Sequence, residues 1–169
     1  MTIFTKNTAL VGTVTIDAKN AAALLVGTST VFTPNTANLD LIVINDDVPT
    51  RMQVKEIINV ISNLNLTLES NTKFYGDGFI NIALGSNVIT INQNINSVNL
   101  IANDVIVYEY LNNDIESKII SGGGSTYTLD TISSMFTASA NLTNYIVYPY
   151  YDNVSYQIIR TYYNDPIPQ

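Results

Sequence analysis

"LLVGTSTVFTPNTANLDLIVIN", residues 24–45, decides how this chain is read. An aliphatic run breaks at Gly27 and Thr28, and a single Phe32 follows Thr30 by two positions. After a Thr/Asn bridge, Leu39 and Asp40 open a second run, Leu41 to Ile44. Short β-branched runs set off by Gly, Thr, Asn and Asp are strands separated by turns. The same grammar predicts strands over 10–16, 24–32, 39–44, 64–69, 79–84, 88–91, 98–101, 105–110, 115–121, 127–129 and 145–148. In "NLNLTLES" the residues Leu64, Leu66 and Leu68 alternate with polar neighbours, the pattern of a half-buried antiparallel strand.

Three segments carry helical signals. In "DAKNAAALLVG", Asp17 is a candidate N-cap and Gly27 stands just past the end. In "TRMQVKEIINVIS", Val54, Ile57, Ile58 and Ile61 have helical spacing, and Thr50 with Gln53 forms a capping box. Read as a strand, that stretch puts Met52, Val54, Ile58 and Val60 on one face. The third segment is "DTISSMFTASA", capped by Asp130. The expected fold is mainly β: a small antiparallel β-barrel or sandwich with one to three short helices. "DLIVI" at 40–44 recurs as "DVIVY" at 104–108, and "IS" then "LTL" (61–62, 66–68) as "IS" then "YTL" (120–121, 127–129). These echoes point to two tandem related β modules.

The composition removes whole classes of chemistry. With no Cys there is no disulfide, thiolate nucleophile or Cys-ligated metal, and with no His the usual neutral-pH proton shuttle is missing. A formal charge of −7 argues against a nucleic-acid surface. The opening "MTIFTKNTAL" lacks the pattern of an export signal, and the longest apolar run, Ala21 to Val26, is too short to span a bilayer. Asn45, Asp46, Asp47 and Asp77 offer oxygens to a hard cation but read more simply as turn residues. "SGGGS" at 121–125 lacks the Lys of a phosphate loop and reads as a hairpin tip. No catalytic, cofactor-binding or metal residue is expected, and the chain is read as not an enzyme.

Residues 9–69 resemble a small β module common in bacteriophage virion structural proteins. The resemblance is carried by Val11, Gly12 and Thr13, by Gly27, Thr28, Thr30 and Phe32 in a Gly-Thr-x-Thr-x-Phe turn, and by Leu39, Asp40 and the run to Ile44. A looser close comprises Val60, Ser62, Asn63, Leu66 and Leu68. Where the family has Gly before the Asp, this chain has Leu39, and Asn103 precedes Asp104. The resemblance implies an accessory capsid, neck or tail component, located in the virion, that forms homo-oligomers and binds other virion structural proteins. It implies no cofactor, nucleic acid or membrane. A receptor- or glycan-binding, adhesin-like module is the alternative.

Seven of the eleven tyrosines lie between Tyr145 and Tyr163. Tyrosine suits interfaces because it buries much area and keeps a polar tip. Tyr150, Tyr151, Tyr156, Tyr162 and Tyr163 are therefore expected interface residues. The expected division is an N-terminal module at 1–85, a second at 86–159 and a C-terminal arm at 160–169. Pro166 and Pro168 deny that end the donors of an interior strand.

Overall fold

Alternation of buried and half-exposed positions, seen in Thr13–Ile16, Asn65–Leu68 and Phe79–Ile82, builds this chain into antiparallel sheets. The computed structural model describes residues 2–8, 12–17, 23–32, 36–45, 47–76, 79–82, 85–92, 99–130, 140–142 and 145–164. In chain order the strands are β1 (Thr2–Thr8), β2 (Thr13–Ile16), β3 (Leu24–Thr28), β4 (Leu41–Ile44), β5 (Gln53–Val60) and β6 (Asn65–Leu68). Next come β7 (Phe74–Tyr75), β8 (Phe79–Ile82), β9 (Val88–Asn92), β10 (Val105–Tyr110), β11 (Asn113–Gly123) and β12 (Thr126–Leu129). The last four are β13 (Ala140–Leu142), β14 (Tyr145–Tyr148), β15 (Tyr151–Val154) and β16 (Tyr156–Asn164). The fold is mainly β, with two curled antiparallel sheets forming half-barrels.

The chain divides into two compact units that do not follow each other in sequence. The first holds β1–β6 together with β15 and β16, and the second, Thr72–Tyr150, holds β7–β14. The first unit's sheet runs β1-β16-β4-β5-β6-β3-β2-β15, around a core that includes Val14, Leu25, Phe32, Ile57, Leu66 and Tyr151. The second unit's sheet, read from its opposite end, runs β7-β14-β10-β11-β12-β9-β8-β13, around Ile80, Ile89, Ile106, Tyr108, Ile119 and Val147.

Strand for strand these are the same order. The second unit is the first unit's fold, inserted between β6 and β15. The equivalence extends to single hydrogen bonds. Leu39 N–H donates to Ile57 O and Asn103 N–H to Ile119 O, both at 2.8 Å. Gly27 N–H donates to Leu64 O and Ile91 N–H to Ser125 O, both at 2.7 Å. A bulge falls between Ile57 and Asn59 in one unit and between Ile119 and Ser121 in the other. "DLIVI" and "DVIVY" are thus equivalent, as are "LTL" and "YTL". The two "IS" pairs are not, since Ile57 and Ile58 match Ile119 and Ile120.

Several expectations change. Among the described residues the only helical element is a single 3-10 turn at Pro49–Arg51. The helix expected over 17–27 gives way at its end to β3, and the choice left open over 51–61 falls mostly to strand β5, because β3 pairs with β6, and β5 with β4 and β6. These non-local ladders outweigh local helical spacing. The third expected helix falls mostly on 131–139, outside the described residues. The strand expected at 98–101 is absent at 99–101. The boundaries at 85 and 159 also move, since β7 and β8 belong to the second unit while β15 and β16 return to the first.

Arg160–Asn164 is not a free arm. It continues β16 and pairs with Thr2–Lys6 of β1. The two prolines that argued against a strand lie beyond it, in 165–169, outside the described residues.

Leu39 has φ +73° and Asn103 φ +76°, the left-handed region where a Cβ is strained. Leu39 is also 73% exposed, so its side chain gains little from burial. Leu39→Gly should stabilise the protein by about 0.5–1 kcal/mol in urea unfolding, and Asn103→Gly by less because Asn tolerates this conformation. A loss of stability with Leu39→Gly would contradict this account of the turn.

Candidate functional site

The Gly-Thr-x-Thr-x-Phe motif is a packing device. Phe32 is fully buried, and its ring meets Tyr156 edge-on at 5.8 Å between centroids. A Cβ at Gly27 would lie 2.5 Å from Thr30 Cγ2 and 3.0 Å from the Phe32 ring, so the glycine leaves room for the phenyl group. The buried Thr30 hydroxyl is hydrogen-bonded to the Tyr156 hydroxyl. Thr28 ends β3, paired with Thr13. Phe32 N–H donates to Asn63 O at 2.8 Å, which ties the loop to the β5–β6 turn. Leu66 and Leu68 are buried as expected, while Leu64 is exposed because β6 begins one residue after it.

Asp40 is only 4% exposed and fully engaged. Its Oδ2 accepts the Ala37 N–H at 2.8 Å, and both oxygens accept from the Arg160 guanidinium, each at 2.8 Å. Those hydrogen bonds, reinforced by the carboxylate's charge, push the Arg160 pKa further up. In the second unit Asp104 repeats the turn. Its Oδ2 accepts Ile101 N–H at 3.0 Å, and its Oδ1 accepts Tyr150 N–H at 2.7 Å.

The tyrosines expected at an interface are distributed otherwise. Tyr151 and Tyr156 are buried in the first unit's own core. The Tyr151 hydroxyl donates to Arg51 O at 2.7 Å and accepts from Gln53 Nε2 at 3.1 Å, and the Arg51 guanidinium stands 5.8 Å from its ring centre. A hydroxyl supplied with partners inside the domain lets the ring serve as core. Tyr150 is half-buried, with its N–H on Asp104. Tyr162 and Tyr163 stand in β16 opposite Phe4 and Ile3.

Among the described residues no group of three or more acidic, His or Cys side chains is placed to hold a metal ion. Asp47 instead accepts from the Ser155 hydroxyl at 2.7 Å, and Asp46 and Asp77 lie outside the described residues. "SGGGS" forms the β11–β12 hairpin tip, where a Cβ at Gly122 would come within 2.4 Å of Thr126 O.

One concave feature was not anticipated. A cavity of about 290 Å³ in the second unit is lined by Tyr75, Tyr108 and Tyr145, with Glu109 and Asp114 among its other lining residues. Glu109 and Asp114 are cross-strand partners on β10 and β11, like charges held side by side. Gly76 makes the wall possible, since a Cβ there would fall 2.2 Å from the Tyr145 ring. In sequence Tyr75 and Gly76 stand just before Asp77, which was read only as a turn residue; nothing local ties them to a hairpin more than thirty residues downstream.

No protein-family model matches this chain, and neither the curated proteins nor the solved structures contain a match.

Burial raises the pKa values of Tyr108, Tyr127 and Tyr156 above the ordinary 10.0, outweighing hydrogen bonds from Ser117, Leu100 and Thr30 that act the other way. A group with a raised folded pKa contributes stability that is present below the unfolded value and lost as pH climbs through the folded value. The melting temperature should therefore be insensitive to tyrosine ionisation up to about pH 9 and fall steeply above pH 10. Absorbance at 295 nm should show these three phenols ionising with unfolding. Their titration near pH 10 in a folded protein would contradict the burial.

Proposed function

We propose that this chain is a non-enzymatic bacteriophage virion structural protein, an accessory capsid, neck or tail component that binds itself and neighbouring virion proteins. The observation that carries the reading is what the motif residues do. Gly27, Thr30, Phe32 and Asp40 are spent on closing and filling a small β unit, with none left to line a reaction site. The left-handed backbone at Leu39 and Asn103 supports the same reading, because it is the conformation that a module with Gly before the Asp provides for. Low charge and exposed apolar residues such as Ile58 and Ile61 suit lasting contacts between proteins, where burying charge is costly.

A second reading has one specific observation in its favour. The exposed Tyr75 ring at a cavity lined by two carboxylates can stack on a sugar ring while the carboxylates accept its hydroxyls. This would make the chain a receptor- or glycan-binding module.

One experiment separates the two. Particles of the phage that encodes the chain, purified on a density gradient, should contain it as an integral component by mass spectrometry. Absence from the particles would overturn the structural reading. Binding to glycans or host surfaces that disappears with Tyr75→Ala would favour the second.

A further inference from the structure

Two copies of one fold in a single chain allow each outward position to be compared with its equivalent. Val26, between Thr15 and Asn65 in the ladders, corresponds to Thr90, between Asn81 and Thr126. Leu64, whose carbonyl accepts from Gly27, corresponds to Ser125, whose carbonyl accepts from Ile91. Ile61, bonded through its N–H to Asn65, corresponds to Gly123, the ladder partner of Thr126. Val54, opposite Val43, corresponds to Glu116, opposite Val107. All four differences run the same way, apolar in the first unit and polar or glycine in the second.

The apolar members are not core residues. Val26 is 41% exposed, Ile61 53% and Leu64 43%, and Val31 joins them at 52%. A fold that accepts Thr, Gly and Ser at these positions in one copy does not need Val, Ile and Leu there in the other. The difference answers to something outside the fold.

We propose that this apolar tip of the first unit, around the β5–β6 turn, is where two copies of the chain meet. The inference rests on the reading of the chain as a self-assembling part and names the surface that does it. Charge selects the partner. The rim around the tip, Asn59, Ser62, Asn63, Asn65 and Thr67, is uncharged in a chain of net charge −7. Two acidic copies repel elsewhere, but here they approach without opposing carboxylates. Val26, Val31, Ile61 and Leu64 leave roughly 300 Å² of apolar surface at the tip, the size of patch that on a monomer marks a contact surface.

The second unit supplies the other half of the argument. If both equivalent tips were apolar, each chain would offer two sticky faces and association could propagate into open assemblies. Among the described residues the second tip carries Thr90, Gly123 and Ser125 instead, so that a single self-complementary contact closes a pair.

The test exchanges residues between the units, using side chains that the same fold already carries. Sedimentation equilibrium of the purified full chain should show a reversible dimer. Val26→Thr, Ile61→Gly and Leu64→Ser together should weaken it at least tenfold without changing the β-sheet circular dichroism. The reverse set, Thr90→Val, Gly123→Ile and Ser125→Leu, should produce species larger than the dimer; a Cβ at Gly123 meets nothing within 4 Å. A full chain that stays monomeric at millimolar concentration would overturn the proposal, as would a folded triple variant that dimerises like the parent. Should the triple variant fail to fold, a reverse set that remains no larger than the parent decides against it. The chain's presence in particles is a separate measurement, so a failure of the virion reading is distinguishable from a failure of this contact.

Discussion

A buried carboxylate at the head of one strand is the constraint on which each unit depends. Asp40 leads β4 and Asp104 leads β10, and each bonds the N–H three residues before it, closing a tight loop. A buried charge is tolerated only when its oxygens are satisfied, so the remaining capacity must be met from elsewhere in the unit. Arg160 meets it in the first unit and the Tyr150 N–H in the second. Both come from the chain that runs beside the Asp-led strand: Arg160 lies within β16, and Tyr150 lies just past β14. One carboxylate thus ties the loop, its own strand and that neighbour together. The left-handed residue before it, Leu39 or Asn103, is the strain accepted in return.

The duplication explains how the chain can be interrupted without losing either unit. The second unit begins and ends on β7 and β14, which are antiparallel neighbours, with Phe74 paired to Val147. Its two ends therefore leave side by side, the condition under which a domain can be inserted into a loop of another. In the second unit the link from β12 to β13 runs from Asp130 to residue 139, while the equivalent link in the first unit, from β6 to β15, contains the whole second unit. The two copies keep aliphatic or aromatic residues at most core positions, such as Ile57 and Ile119 or Ile42 and Ile106, and part company at several exposed ones, such as Val26 and Thr90. Residues that serve the fold are thereby separated from residues that serve something else.

Much of this was legible in the sequence, for physical reasons that also mark where reading stops. The period-2 pattern of "NLNLTLES" and the Asp-led aliphatic runs placed β4, β6 and β10, since half-burial imposes alternation locally. The left-handed backbone at Leu39 and Asn103 was not legible, because a leucine gives no local signal for it. Strand identity for 53–60 stayed open because Val54, Ile57, Ile58 and Ile61 also fit a helix, and only pairing with β4 and β6 decides. The tyrosine-rich end read as an interface because sequence cannot show that Tyr151 and Tyr156 return to strands more than a hundred residues upstream. The cavity by Tyr75 was invisible for the same reason, being assembled from segments far apart in sequence.

The central claim is that this chain holds two complete copies of one β fold, the second inserted within the first. The direct measurement is the folding of residues 72–150 expressed alone. A complete copy should give a dispersed amide spectrum and a single cooperative urea transition, and it should lose both with Asp104→Ala, which removes the carboxylate that closes its loop. A collapsed amide spectrum with no cooperative transition for 72–150 would contradict the account.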